Sequence, residues 1–503
     1  MHRLRSFGRL ELIAFVVGAA SLGTEIAAAR LLAPWFGAST IVWANTIATV
    51  LVALSVGYAI GGRMADRRPD LGGLCRLVLA AAVLLAIVPF VSTPLLRLSV
   101  KALDSISAGA FLGSLAGVLV LVAVPVLLLG AVSPYAVRLR VSTVEEAGRV
   151  AGRLYAISTC GSLFGTFLSA LVLIPLAGTR RTFLAFALAL ALVAAVGLRH
   201  RRVAVAPLLI GGLLLIPAGT LKADSEGGRV IWESETEYQY ARVTQDTGGT
   251  RRLELNEGLA VHSILRPGSY LTGDYWDEFL VLPLAARREP PAHIAILGNA
   301  AGTTARAYGH FFPKTQVDAV EIDGDLTKVG RKLFDLRGPR LRTHTADARP
   351  FLERSHDRYG AILVDAYRQP YIPFYLATRE FFELVRDHLE PGGVVLINVG
   401  HPDGSHRLER ALASTAGKAF RTVLSDPVEP TNAVLVASDG PLSAQRLRSA
   451  AASLPAALGE PARATSARLT TARQGGPVWT DDRAPVEWLI DESIVSYAAG
   501  RKP

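Results

Sequence analysis

The sequence predicts an α-helical multi-pass membrane domain of about seven helices, followed by a small β domain and a Rossmann-like, doubly wound α/β sheet. Three observations carry this. Half of the 503 residues are hydrophobic and 19% are charged, with a mean hydropathy of +0.33, too apolar for an ordinary soluble chain of this length. The apolar excess lies between Leu12 and Leu221, in charge-poor stretches near the roughly 20 residues that cross a bilayer core as a helix. From residue 293 onward, strand and helix patterns alternate, as in a mostly parallel sheet covered on both faces.

The apolar stretches fall at about 12–29, 40–62, 77–96, 109–137, 154–179, 182–198 and 203–221. Seven consecutive charge-poor helices without an amphipathic face exclude an ordinary soluble bundle. No cleavable signal peptide is expected, because the first stretch runs on through "LELIAFVVGAASLGTEIAAARLL" without a small-residue cut site. Glu25, deep in that stretch, is costly in a bilayer unless paired or hydrated. It reads either as a substrate or proton site or as a polar contact to another helix, through Asn45 or Tyr155; Arg30 lies five residues on, near the end of the same stretch. Glycines in "GSLFGTF" (161–167) suit close helix packing, and the basic loop "GGRMADRRPD" (61–70) is like that of major-facilitator transporters. The two cysteines, Cys75 and Cys160, offer neither a disulfide nor a zinc framework, and no metal site is read from the sequence.

The net charge of +10 does not imply nucleic acid, since much of it is arginine between the apolar stretches. Loops on one side carry arginine at 3, 5, 9, 63, 67, 68, 76, 138, 140, 149, 153, 199, 201 and 202; the opposite loops carry only Arg30, Arg97, Lys101, Arg180 and Arg181. The positive-inside rule puts the richer side in the cytoplasm of a bacterial-type inner membrane. Seven spans would leave the C-terminal half outside and six would leave it inside, so its side stays open.

The domains expected are 1–222 in the membrane, 223–285 as the small β domain and 286–503 as the α/β sheet. Residues 228–285 alternate like strands and turn at Thr247-Gly248-Gly249 as a hairpin would, before a helix-like segment, "GDYWDEFLVLPLAARR". The sheet then reads strand "HIAILG", helix "GTTARAYGHFF", strand "VDAVEID", helix "GDLTKVGRKLF", strand "LRTHTAD", a helix over 348–355, strand "GAILVD", helix "TREFFELVRDHL", turn "EPGG" and strand "VVLINV".

In such sheets ligands bind at the carboxyl ends of the strands. Gly298 and Gly302 in "ILGNAAGTT" let backbone approach a ligand closely. Glu321 closes the second strand, where a carboxylate can accept both ribose hydroxyls. Asp347 follows the third strand and either meets an adenine edge or caps the next helix. Asp365 ends the fourth, in mid-cleft. Without full G-x-G-x-x-G spacing or a Walker lysine, an adenosyl ligand of the S-adenosylmethionine type fits better than a dinucleotide or triphosphate.

The run "VDAVEIDGDLTKVGRKLF…TADARPFL…YGAILVDAY…YLATREFFELVRDHLEPGGVVLINV" resembles the polyamine aminopropyltransferases, the spermidine synthase family, over about 228–440. The whole chain looks like its membrane-fused branch. The resemblance implies a methyltransferase-type sheet that transfers an aminopropyl group from decarboxylated S-adenosylmethionine to an amine, with no permanently bound cofactor. It implies that Glu321 holds the ribose, Asp347 the adenine and Asp365 the edge of the amine site; Asp365, the candidate catalytic residue, reads either as a further contact of the adenosyl pocket or as a group in proton transfer. The family's G-G-G-D-G-G loop places its acid at Ala300, and its D-S-x-D loop places its second acid at Arg368. Its Tyr-His-Glu falls on Trp276-Asp277-Glu278, and its Asp-Gly-Gln ends on Val261 beside His262. Glu278, His262 and Arg368 are therefore expected at the acceptor. An arginine there favours an anionic group, which leaves two alternatives: an S-adenosylmethionine-dependent methyltransferase on an anionic or lipid-linked acceptor, or a non-catalytic nucleoside or polyamine sensor coupled to the membrane half through Glu25. Expected partners are the lipid bilayer, a small-molecule amine or other acceptor, and as an option a second copy in a homodimer; nucleic acid is not among them. Asp481 and Asp482 in "VWTDDRAPVEWLI" either reach over the cleft or anchor the terminal segment.

Overall fold

The computed structural model describes residues 8–37, 39–103, 109–198, 204–217, 221–222, 228–258, 260–367, 372–401 and 403–490. They fall into two compact units, Met1–Ala223 with Glu233–Ala241, and Asp224–Trp232 with Arg242–Pro503. Arg368 lies outside the described residues.

The first unit contains helices α1 (Arg9–Phe36), α2 (Thr40–Arg67), α3 (Leu71–Leu103), α4 (Gly109–Val118), α5 (Val124–Arg140), α6 (Val144–Leu168), α7 (Ile174–Ala177), α8 (Thr179–Leu198) and α9 (Val205–Leu215). A π turn, Leu119–Ala123, joins α4 to α5, and a second, Ser169–Leu173, joins α6 to α7. Each precedes a proline, Pro125 or Pro175, and the widened turn absorbs the missing N–H and the ring. Among the described residues, six helical rods are long and apolar enough to cross a bilayer: 9–36, 40–67, 71–100, 111–140, 144–177 and 179–198. Val52, Leu171 and Val196 remain more than 60% exposed on them, as a lipid-facing surface requires. The seventh apolar stretch differs from expectation: its helix, α9, has 11 residues and ends before Pro217. It runs back alongside α8, so that Arg180 Nη1 donates to the Pro217 carbonyl at 3.3 Å. Lys222 then lies over the Trp35 ring, 5.4 Å from its centroid, at the end of α1 opposite Arg9.

The six rods form two related sets of three. The main pairings are α1 with α6, α2 with α5, and α3 with α8. A Cβ on Gly161 or Gly165 would collide with the Phe15 or Ala19 carbonyl, and one on Gly18 with that of Ser158. In the other pair Gly57 and Gly61 meet the Leu127 and Ala131 carbonyls in the same way, and Gly130 meets that of Leu54. A shift of 112 carries Phe15, Gly18 and Ala19 onto Leu127, Gly130 and Ala131; a shift of 104 carries Leu54, Gly57 and Gly61 onto Ser158, Gly161 and Gly165. The sequence keeps the trace, "FVVGAAS" (15–21) matching "LLLGAVS" (127–133). Rods joined by short connections alternate in direction, so two sets of three run oppositely: the unit is an inverted repeat with glycine-lined seams.

The strands β1 (Arg229–Glu235), β2 (Tyr240–Gln245), β3 (Arg251–Leu255) and β4 (Val261–Leu265) form a four-stranded sheet in that order. The expected hairpin is present: the Asp246 N–H donates to the Thr250 carbonyl at 3.0 Å, and Gly249 takes φ +83°. The segment that follows forms one short turn, α10 (Glu278–Val281), continuing as a 3-10 turn to Ala285.

The second unit is built on β5 (His293–Leu297), α11 (Thr303–Phe311), β6 (Gln316–Glu321), α12 (Gly324–Leu333), β7 (Leu341–Thr345), α13 (Ala348–Arg354), β8 (Tyr359–Val364), α14 (Arg379–Asp387), β9 (Leu389–Gly400), α15 (Arg407–Ala419), β10 (Thr422–Glu429), β11 (Asn432–Ser438), α16 (Ala444–Ala450), α17 (Ala456–Arg468) and β12 (Thr470–Thr471). The sheet order is β12-β10-β11-β9-β8-β5-β6-β7; β5 to β9 are parallel, while β10, β11 and β12 pair antiparallel at one edge. The expected "EPGG" turn is drawn into the irregular start of β9, with Gly392 at φ +72°. Apolar side chains cover both faces, Phe381, Phe382 and Leu412 on one, Phe279, Tyr308 and Leu447 on the other, which is why the central strands read as continuous hydrophobic runs.

Candidate active site

The order of the parallel strands reverses between β5 and β8, and their carboxyl ends open the cleft where a ligand is expected. Gly298 leaves β5 at φ +91°, and a Cβ there would collide with the backbone of Asp365 and Ala366 at the end of β8. Gly302, at φ +95°, caps α11 in the left-handed region. Between them Ala300 also takes positive φ, +46°, so three of five loop residues lie at positive φ, and the loop's N–H groups are taken up by the fold, those of Gly298 and Asn299 by the Val320 carbonyl and that of Gly302 by the Asn299 carbonyl. Strand β4 supports this loop: Ser263 Oγ accepts from the Ala301 N–H at 2.9 Å, and Thr303 Oγ1 accepts from the Ile264 N–H at 2.8 Å. His262 sits on β4 next to these contacts.

Glu321 closes β6 and is buried. Its Oε2 accepts from the Ala300 N–H at 2.7 Å and its Oε1 from the Asp323 N–H at 3.0 Å, which ties strand two to the glycine loop. Burial pushes its carboxyl up to about 7, against the pull of those N–H groups. Asp347 follows β7 and caps α13: Oδ1 accepts from the Arg349 N–H at 3.1 Å, and Oδ2 from the Tyr375 hydroxyl at 2.6 Å. The two readings of Asp347 are thus compatible, a cap whose second oxygen is held at the cleft by a tyrosine.

Asp365 stands at the centre. Its Oδ1 accepts from Asn398 Nδ2 at 2.8 Å and its Oδ2 from the Tyr275 hydroxyl at 3.0 Å. Burial pushes its carboxyl up to about 7, partly offset by the Asn398, Tyr275 and Trp276 donors. Burial first, and then Asp365 itself, drives the Tyr275 phenol well above its ordinary value, so it stays a donor. Tyr367, whose hydroxyl donates to the Asn398 carbonyl at 3.0 Å and accepts from the Gly400 N–H at 2.7 Å, ties the ends of β8 and β9 together.

Gly298, Gly302, Glu321 and Asp365 are therefore brought together, with Asp347 on the adjoining strand. Glu278 is elsewhere engaged: Arg468 binds its Oε1 at 2.9 Å and Asp426 at 2.8 Å, and burial, then the nearby Asp426 charge, pushes Glu278 up to about 7. Asp277 holds a turn, accepting from the Thr272 and Gly273 N–H groups. Asp481 anchors the terminal segment, bound by Arg349 at 2.8 and 2.6 Å and by Thr378 Oγ1 at 2.7 Å. Glu25 is half-buried in α1 without a hydrogen bond or ion pair among the described residues, and Asn45 instead bonds Ser114 and the Phe111 carbonyl.

The sequence reading passed over Tyr275, Asn398 and Asn299. Tyr275 immediately precedes the trio singled out there, and Asn398 is the one amide in the apolar run "VVLINV". Asn299, 5% exposed in the glycine loop, leaves both side-chain polar atoms unsatisfied, which in a native cleft points to a ligand partner.

Residues 278–434 match the family model described as the spermine/spermidine synthase domain. A probable polyamine aminopropyl transferase of Bifidobacterium longum is 36% identical over 192 residues, 38% of this chain and 42% of that protein. The chain thus spans less than half of that relative, and 38% of a polyamine aminopropyltransferase of Vibrio vulnificus, 33% identical over 112 residues, 22% of this chain. Polyamine aminopropyltransferase 1 of Streptomyces coelicolor is 28% identical over 451 residues, 82% of this chain and 80% of that one, a span that takes in the helical half. A probable spermidine synthase structure from Corynebacterium glutamicum matches 50% of this chain and 98% of its own, with TM-score 0.38 and 21% identity.

Proposed function

Because residues 278–434 are a spermine/spermidine synthase domain carried behind apolar helices, we propose that this protein transfers an aminopropyl group from decarboxylated S-adenosylmethionine to an amine. One observation carries the reading. A half-buried acid, Asp365, with its charge supported by Tyr275 and Asn398, ends the strand beside a glycine loop tied to a buried second acid, Glu321. Glu321 and Asn299 take the ribose side of the donor, the wound loop 298–302 lies against its sulfonium end, and Asp347 with Tyr375 takes the base. The acceptor's uncharged nitrogen attacks the methylene carbon bonded to sulfur. A C–N bond forms, the C–S electron pair returns to sulfur, and neutral methylthioadenosine leaves. The proton released from the new ammonium passes to Asp365, whose raised carboxyl is matched to neutral pH. Most of the acceleration is placement, with two cations held beside two carboxylates. The test is methylthioadenosine release by the purified full-length protein from decarboxylated S-adenosylmethionine with putrescine or a longer diamine. Donor binding without product from any diamine or polyamine overturns the reaction.

We infer the side of the membrane from charge and exit geometry. Arg9 lies at the arginine-rich end of α1, and Lys222, where the helical half ends, lies at the other end over Trp35. Six rods alone would return the chain to the arginine-rich side, but the segment after them brings Lys222 back to the far end of α1, and on that exit the positive-inside rule puts the catalytic half outside the cytoplasm. Alkaline phosphatase fused after Pro503 is then active in intact bacteria and fluorescent protein fused there is dark. The opposite pair of signals refutes the assignment.

A further inference from the structure

Beyond the cleft, the chain that leaves β9 makes a second cluster of ligating side chains. His401 follows the strand's last residue, the turn closes through Gly404 at φ +75°, and His406 precedes α15, whose first turn carries Glu409. One ligand atom from each of His401, His406 and Glu409 lies within 4.8 Å of the other two. His401 is 8% and Glu409 4% exposed, while His406 is a third exposed and leaves a path from solvent. Glu409 is a buried carboxylate, and among the described residues no lysine or arginine pairs with it; its Oε2 faces His406 Nδ1 at 3.0 Å. Its Oε1 is fixed by the Ser425 hydroxyl at 2.7 Å, the kind of outer support that orients a ligating carboxylate. The cluster borders a cavity of about 380 Å³ that Asp403 and Glu429 also line.

We propose that His401, His406 and Glu409 bind a divalent transition-metal ion of borderline softness, zinc fitting best, with an open position toward that cavity. Two imidazoles and one carboxylate are a donor set such ions take with a coordination position to spare. A tetrahedral ion with bonds of about 2.0–2.1 Å wants its donors roughly 3.3 Å apart, so small side-chain rotations close the site. The ion supplies the positive charge that the buried Glu409 otherwise lacks. It also fixes the loop after β9: the His401 N–H donates to the Thr431 carbonyl at 2.9 Å, and the neighbouring Gly400 N–H meets Tyr367, which bonds the Asn398 backbone.

The test uses full-length protein without a polyhistidine tag, stripped with chelator in detergent and titrated with zinc chloride and, for its visible spectrum, cobalt chloride. One ion binds per chain, and the cobalt complex shows the intense ligand-field bands of low coordination. His401→Ala, His406→Ala and the isosteric Glu409→Gln each weaken zinc by at least tenfold, and Ser425→Ala by roughly tenfold through lost orientation. His293→Ala, in the separate His293, Asp318 and Asp357 cluster at the opposite strand ends, leaves zinc affinity unchanged. Melting of each metal-free variant beside metal-free wild type identifies any that fail to fold, and Glu409→Gln, the least disruptive, then decides. Less than one zinc taken up by the stripped wild type, or unchanged affinity in Glu409→Gln and His406→Ala, overturns the site.

Discussion

Asp365→Asn removes the one group placed to receive the acceptor's proton while keeping its shape. The amide can still accept from Asn398 or Tyr275, so folding survives and the loss falls on the reaction, about 10²–10⁴-fold in kcat. The pH profile is more diagnostic. Asp365 and Glu321 are each pushed up to about 7 by burial, and both must be ionised to hold a cationic donor and accept a proton. With each group about one-tenth ionised at pH 6, kcat/KM falls roughly 100-fold below its plateau if both are needed and roughly 10-fold if one is. Methylthioadenosine release measured from pH 5.5 to 8.5 should therefore show an acid limb of slope near two, centred near 7, with slope near one in Asp365→Asn. The neutral amine adds a second dependence, but that one moves with the acceptor's own basicity and the limb near 7 does not. A profile in Asp365→Asn parallel to wild type, or activity within threefold of it, refutes the assignment of Asp365 as proton acceptor.

Tyr275→Phe removes a donor to the Asp365 carboxylate, so the acid limb moves upward in pH and neutral-pH activity falls by roughly 10-fold, read from the same assay. Gly298→Ala forces an L-residue to φ +91° and a methyl into the Asp365 backbone; the domain loses at least about 1–3 kcal/mol in urea unfolding, and nucleoside binding with it. Arg468→Met leaves Asp426 and Glu278 buried without their cation and destabilises the domain by about 3–5 kcal/mol with KM for the amine unchanged; a raised KM with normal stability would instead return Glu278 to the acceptor site. Gly57→Leu and Gly161→Leu, equivalent positions of the repeat, lower the melting temperature in detergent by similar amounts, while Gly62→Leu, with open space around it, is neutral.

Much of this was legible in the sequence because the relevant signals are local. Apolar length marks the membrane rods, alternation marks the parallel sheet, and an acid at a strand end marks the cleft whatever the distant contacts. What the sequence hid depends on pairing across the fold. Tyr275 lies 90 residues before Asp365 and Asn398 lies 33 after it, and neither stands out by residue type. Glu278 looks like a ligand contact until Arg468, 190 residues away, takes it up. The helical repeat is hidden for another reason: lipid asks only for apolar surface, so small residues at the seams are all that selection on packing preserves, and "FVVGAAS" against "LLLGAVS" is too short to notice without the contacts.

The two acids at the cleft, Glu321 buried and Asp365 half-buried, also connect stability to ligand. In the empty cleft each carboxyl sits above its unfolded value near 4, so its contribution to stability is fully present below pH 4 and is lost as pH rises through about 7. By pH 8 the pair weakens the empty domain by about 4 kcal/mol each at most, less whatever water reaches the open cleft. On the proposed function, a sulfonium and an ammonium arriving beside them return that energy as binding, and return more of it at pH 8 than at pH 5.5. The acid that the resemblance puts at Ala300 is absent, so no like charge there pushes the neighbouring Glu321 higher still. On the proposed function, Glu321 and Asp365 together draw in a cationic donor, and an amine deprotonated in the cleft needs a single acceptor for its proton. On that function the departure bears on which amine is accepted more than on whether the cleft holds the donor.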